Sequence, residues 1–163
     1  MPKIARWLGL ALLVIVLDQI SKAVIVDRFA FGESLSVTSF FDLVLAYNTG
    51  AAFSFLASAG GWQRWFFTTI AVIASAIITY FLRKHADEPR FCLALSLILG
   101  GAIGNLVDRV ALGHVVDFLL FHYANYRWPA FNVADSAITV GAVLLAWESL
   151  RTKPQNALPG HGS

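Results

Sequence analysis

Two aspartates, Asp117 and Asp135, stand among apolar residues in the stretch HVVDFLLFHYANYRWPAFNVADS, residues 114–136. An ionised carboxylate in such company costs several kcal/mol unless it is paired, hydrated or used. Two carboxylates a few Å apart in low dielectric cannot both ionise easily, so they hold one proton between them. Such a pair can polarise water for attack on an amide carbonyl, one carboxylate acting as base and the other as acid. The alternative is two unrelated interfacial residues, one capping a helix and one hydrated. Spacing alone leaves both readings open.

The elements that must position these residues are apolar. Of 163 residues, 58% are hydrophobic and 13% charged, with a mean hydropathy of +0.68. Soluble domains run nearer 45–50% apolar and about 25% charged, so the composition is that of an integral membrane protein. A net charge of +2 gives no sign of a nucleic-acid surface. Stretches long enough to span a bilayer as helices fall at about 7–26, 62–82, 91–111 and 131–150. The first begins after Lys3 and Arg6, as a secretory signal would, but carries Asp18 and Lys22 within its apolar run and shows no small-residue cleavage site. It is expected to be a retained helix. The whole reads as one four-helix domain over 1–153, with 154–163 a disordered tail.

Four spans put both termini on one side, and charge bias selects it. Lys3, Arg6, Arg83, Lys84, Arg90, Arg151 and Lys153 all fall at the termini or the short 83–90 link. The positive-inside rule places these in the cytoplasm, and Trp7 and Trp147 against Trp62, Trp65 and Trp128 suit the two interfacial belts. Residues 27–61 and 112–130 then lie outside. The segment SLSVTSFFDLVLAYN is rich in β-branched and aromatic residues and suits short strands. The small residues of NTGAAFSFLASAGG suit close backbone approach. Function is therefore expected at the outer face. Asp117 is expected just beyond the third helix, which Gly113 would end. Asp135 is expected near the outer start of the fourth, after Pro129 and a capping Asn132. A short loop between them would bring both to one depth.

Other polar residues in the spans are candidates by default. Asp18 and Lys22 share a helix face at i,i+4 and can pair, either to fix packing or to orient a substrate. Ser21 projects about 100° away from Lys22, which excludes a Ser–Lys nucleophile. In GGAIGNLVDR, Gly100, Gly101 and Gly104 allow close helix contact. They would leave Asn105, Asp108 and Arg109 facing the bundle interior or the outer interface, where Asp108 and Arg109 would make charge-assisted bonds. His114, Asp117 and His122 match no metal-ligand spacing, so no metal is expected. The lone Cys92 reads as a small buried hydrophobe.

Five segments in order, DQISK at 18–22, NTGAAFS at 48–54, GGAIGNLVDR at 100–109, VVDF at 115–118 and FNVADS at 131–136, resemble the lipoprotein signal peptidase (signal peptidase II) family. The likeness spans all but the terminal tails, and lacks the D-T-G and D-S-G loops of soluble aspartic proteases. It implies an all-α integral membrane protein of four transmembrane helices with a small outer β-cradle, within about 27–61. It implies an intramembrane aspartyl endopeptidase of the bacterial inner membrane, needing no cofactor. Its substrate would be a prolipoprotein bearing diacylglyceryl-cysteine, cut just before that cysteine in contact with membrane lipids. Asp117 and Asp135 would be catalytic. Asp18, Lys22, Asn48, Asn105, Asp108, Arg109 and Asn132 would support the site or contact substrate, and globomycin would inhibit. The rival readings are a small transporter or channel, disfavoured by carboxylates clustered at one face and the lack of a repeat, and a non-catalytic assembly subunit held by polar helix contacts.

Overall fold

The computed structural model describes residues 3–50 and 61–151. Among these residues four helices are long and apolar enough to cross a membrane: α1 (Ile4–Arg28), α2 (Trp62–Lys84), α3 (Pro89–Ala111) and α4 (Val133–Arg151). The described residues also form four strands: β1 (Ser34–Thr38), β2 (Phe41–Asn48), β3 (Val115–Tyr123) and β4 (Tyr126–Arg127). They form one antiparallel sheet in the order β1-β2-β3-β4. The tail beyond 153 and most of NTGAAFSFLASAGG lie outside the described residues.

Helix α3 is the centre of the bundle, with 56% of its apolar window buried against 28% or less for the other three. Glycines set the spacing. A Cβ on Gly100 would lie 2.7 Å from the Ala11 carbonyl oxygen of α1, and one on Gly101 would run into the Ala134 carbonyl of α4. Helices without a hydrophobic drive between them associate through such close backbone contact. At the other end of α3, Ala11, Ile78, Leu82, Cys92, Leu95 and Leu99 form an apolar core joining α1, α2 and α3. Cys92 is fully buried there, its thiol on the His85 carbonyl at 3.0 Å.

The polypeptide turns from α3 into the sheet within three residues. Leu112 and Gly113 donate back to the carbonyls of Asp108 and Arg109 at 2.7 and 3.2 Å. Gly113 has φ +85°, the left-handed backbone that ends helices and that glycine adopts without strain. Beyond Gly113 the structure departs from the short loop expected of the sequence. Val115–Tyr123 is the longest strand, and it extends the sheet well beyond residues 27–61. Asp117 lies beyond the third helix, as expected, but on a strand rather than in a short loop. The first four residues of β3 are all buried. Val116 and Phe118 pack with Ile25 and Leu45, leaving Asp117 on the opposite face.

Candidate active site

Two attachments fix where α4 begins relative to β3. The Phe131 carbonyl accepts from the N–H groups of Phe118 and Leu119 at 3.0 and 2.8 Å, and the Phe131 N–H returns to Leu119 at 3.0 Å. The next residue, Asn132, is fully buried and caps α4, its side-chain oxygen accepting the Asp135 N–H at 2.9 Å. The Asn132 amide nitrogen, meanwhile, donates to Asp117 Oδ1 at 2.7 Å. One side chain thus holds Asp117 by its carboxylate and Asp135 by its backbone.

The two carboxylates have different partners. Asn48 ends β2, where Ala46 pairs with Asp117, and its amide donates to Asp117 Oδ2 at 3.0 Å. Both Asp117 oxygens therefore accept an amide N–H. Asp135 Oδ1 accepts from Asn105 Nδ2 at 2.7 Å. Burial first, then the neighbouring Asp135 charge, push the Asp117 carboxyl up to about 7, against the pull of Asn48, Asn132 and Lys22. A carboxyl so placed holds a proton near neutrality, which is what acid–base work on an amide requires.

A buried ion cluster underlies the pair. Lys22 Nζ lies 2.7 Å from Asp18, 2.8 Å from Asp108 and 3.0 Å from Asn105 Oδ1. Three ammonium protons thus meet three acceptors, and the i,i+4 pair expected from the sequence becomes a triad. Asp18 Oδ1 also accepts the Ala134 N–H at 2.8 Å, satisfying an orphan donor of α4's first turn. Asp108 Oδ2 accepts the Val116 N–H at 3.1 Å and so fixes the start of β3. Lys22 therefore braces both elements that carry the aspartates.

Asn105 passes this order on, since its oxygen takes Lys22 and its nitrogen holds Asp135. Gln19 is a member of the cluster that sequence reasoning missed. Its amide donates to Asp108 Oδ1 at 2.8 Å and the Gly104 carbonyl at 3.2 Å. The available signal was its polarity within an apolar span. Ser21 bonds the Asp18 carbonyl at 2.8 Å and takes no part in the cluster. Arg109 donates to the Gly50 carbonyl at 3.1 Å and stands 5.5 Å from the Phe67 ring. Its charge-assisted bond to another segment thus goes to a backbone oxygen, whereas Asp108 meets a cation. All nine residues expected at the site are brought to this junction. His114 lies tilted against the Tyr47 ring, and His122 lies across the sheet against Asp42, so neither joins it.

Residues 10–151 match the family model described as signal peptidase (SPase) II. A lipoprotein signal peptidase of Cupriavidus necator is 63% identical over 145 residues, 89% of this chain and 83% of that protein. One of Paraburkholderia phytofirmans is 60% identical over 148 residues, 91% of this chain and 86% of that protein. A solved bacterial membrane enzyme matches with a TM-score of 0.83 at 31% identity, over 95% of both chains. A second has a TM-score of 0.79 at 32% identity, over 91% of this chain and 95% of that one. With four described helices long and apolar enough to cross a membrane and a four-stranded sheet beside them, the chain belongs to the signal peptidase II family of aspartic peptidases.

Proposed function

We propose that Asp117 and Asp135 are the acid–base pair with which this signal peptidase cleaves prolipoproteins. The observation that carries the reading is Asn132, which binds the Asp117 carboxylate and the Asp135 backbone at once. The pair works with one proton between them. The ionised carboxylate takes a proton from water as its oxygen attacks the scissile carbonyl carbon. The protonated partner gives its proton to the carbonyl oxygen, forming a gem-diol. Collapse breaks the C–N bond, with a proton passing to the leaving nitrogen. The products are a signal peptide ending in a carboxylate and a polypeptide beginning with a free amine. Lys22, through Asn105, and Asn48 and Asn132 directly, hold the carboxyl groups in place.

The substrate is a prolipoprotein whose cysteine carries diacylglyceryl, cut immediately before that cysteine. Acyl chains are held in the bilayer at about 0.8 kcal/mol per buried CH₂, which keeps the scissile bond near the interface. A site where α4 begins and β3 leaves α3 meets the bond at that depth. The orientation that fits has both termini in the cytoplasm of the bacterial inner membrane and the site near the periplasmic interface. Globomycin is the expected inhibitor, through occupation of the pair. The test is release of signal peptide from a diacylglyceryl-modified prolipoprotein by purified protein. Asp117→Asn and Asp135→Asn should each lose at least about 10²-fold, as for removal of a positioned acid–base group. Retained cleavage in both variants would discard the dyad, and no cleavage by wild type would favour a transporter or an assembly subunit.

A further inference from the structure

Two pockets flank Asp135. One, of about 350 Å³, lies between α4 and the segment leading into it, with Trp128, Pro129, Phe131 and Val140 in its wall. The other, of about 360 Å³, lies among α2, α3 and α4, with Phe67, Ile70, Ala74, Ala102 and Ile138 in its wall. Among the described residues only Asp135 and Thr139 line both. Thr139 follows Asp135 by one turn, its hydroxyl on the Asp135 carbonyl at 2.8 Å. That edge of α4 is a ridge with a groove on either side and a carboxylate at its head.

A diacylglyceryl-modified prolipoprotein has two apolar arms, and both return to the bilayer from one scissile bond. The signal peptide leads in from one side and the acyl chains leave on the other. We propose that the Asp135–Thr139 ridge divides these arms, the signal-peptide helix lying in the α2–α3–α4 groove and the acyl chains in the Trp128–Phe131–Val140 groove. The proposal rests on the prolipoprotein reading and adds to it which wall meets which arm.

Three features decide the assignment. Helices α2 and α4 both pack on α3 and scarcely on each other, so α3 floors an open trough. From Asn105 to Ile98 that floor runs about 10 Å at 1.5 Å per residue. Ala71, Ala74 and Ala102 leave its walls low enough for another helix to approach closely. The trough also has a cation at its head. The Arg109 guanidinium lines it beside Asp135, and its Nε is buried without a hydrogen-bond partner among the described residues. A signal-peptide helix ends next to the scissile bond, where its last carbonyls lack partners and its dipole is negative. Arg109 is the matching group. The opposite groove holds no cation among its described lining residues, and Trp128, Pro129, Phe131 and Val140 give it an apolar wall suited to acyl chains.

The test obstructs one groove at a time and reads a ratio within each preparation. Two pairs of synthetic lipopeptides are cleaved, one differing in acyl length and the other in the length of the signal-peptide apolar segment. Val140→Phe should shrink the kcat/KM advantage of long over short acyl chains by at least about tenfold, the worth of two buried methylenes. It should leave the signal-peptide ratio as in wild type. Ala102→Phe should do the reverse. Val140→Leu and Ala74→Leu, as milder obstructions, should move the same ratios in the same directions and serve where the larger variants fail to fold. Ratios that move together, stay still or exchange roles overturn the assignment. Wild type that cleaves none of the lipopeptides overturns the underlying reading instead, so the two failures are distinct.

Discussion

Asp117 and Asp42 are both buried on strands of one sheet, yet their carboxyl groups are driven in opposite directions. Asp42 accepts the Ser36 hydroxyl at 2.9 Å, the Ser34 hydroxyl at 3.4 Å and the His122 ring at 3.1 Å. These partners, Ser36 foremost, hold its carboxyl below the usual carboxylate range despite burial. Asp117 has two amide donors, which are not enough against deeper burial and a second carboxylate, and it rises to about 7. The difference is one of company. A lone carboxylate with hydroxyl and imidazole partners is a strut, whereas a carboxylate facing another in low dielectric stores a proton. Two polar clusters on one sheet thus drive a carboxyl down in one place and up in the other.

The largest break of this contrast after the aspartates themselves is removal of Lys22. Lys22→Met would leave Asp18 and Asp108 as buried carboxylates without their cation, a change that costs about 3–5 kcal/mol. Unfolding in detergent should show a loss of that size, and cleavage should fall with it because α4 and β3 lose their shared brace. Unchanged stability would mean that water or another donor replaces the ammonium, and that the cluster does not hold the site.

A smaller effect is expected at Asp117 itself, where it can be measured without catalysis. Two causes raise its carboxyl, burial first and the Asp135 charge second. Asp135→Asn removes only the second. Infrared titration should therefore find the Asp117 midpoint shifted down from about 7 but still above the ordinary 3.8. A midpoint that does not move would show that burial alone sets it and that the two carboxylates do not interact. On the proposed mechanism the pair works with one proton, so cleavage should decline as pH rises above about 7 and that proton is lost.

Much of this arrangement was legible in the sequence, for definite reasons. Four apolar runs announce helices because a bilayer demands about 20 such residues in each. Asp18 and Lys22 announce a pair because i,i+4 residues share a face, and Asn132 announces a cap by its type and place before an apolar run. Strand β3 was hidden. Its opening residues are buried on both faces, so VVDF lacks the polar alternation that marks a half-exposed strand. Long-range partners were hidden too. Nothing local tells that Lys22 serves Asp108, that Asn105 joins Lys22 to Asp135, or that His122 faces Asp42. Family resemblance supplied which residues gather at the site, and only geometry supplied what each one touches there.

The smallest effect is expected at Asp42, and it separates the two clusters most sharply. Its folded carboxyl lies below the ordinary 3.8, so it contributes stability above 3.8 that is lost as pH falls through the depressed value. His122 on β3, Asp42 on β2 and Arg127 on β4 are the charged or titratable groups in this cluster, and β1 offers only the Ser34 and Ser36 hydroxyls. Asp42→Asn should lower the unfolding midpoint slightly near neutrality, with the gap from wild type closing in acid. Cleavage at pH 7 should barely change, because Asp42 pairs with Leu120 while Asp117 pairs with Ala46, on the far side of a register shift. If Asp42→Asn cut cleavage as deeply as Lys22→Met, strain would be passing along β2 and β3 into the dyad. The sheet would then be part of the catalytic machinery rather than its support, and the distinction between strut and proton store would fail.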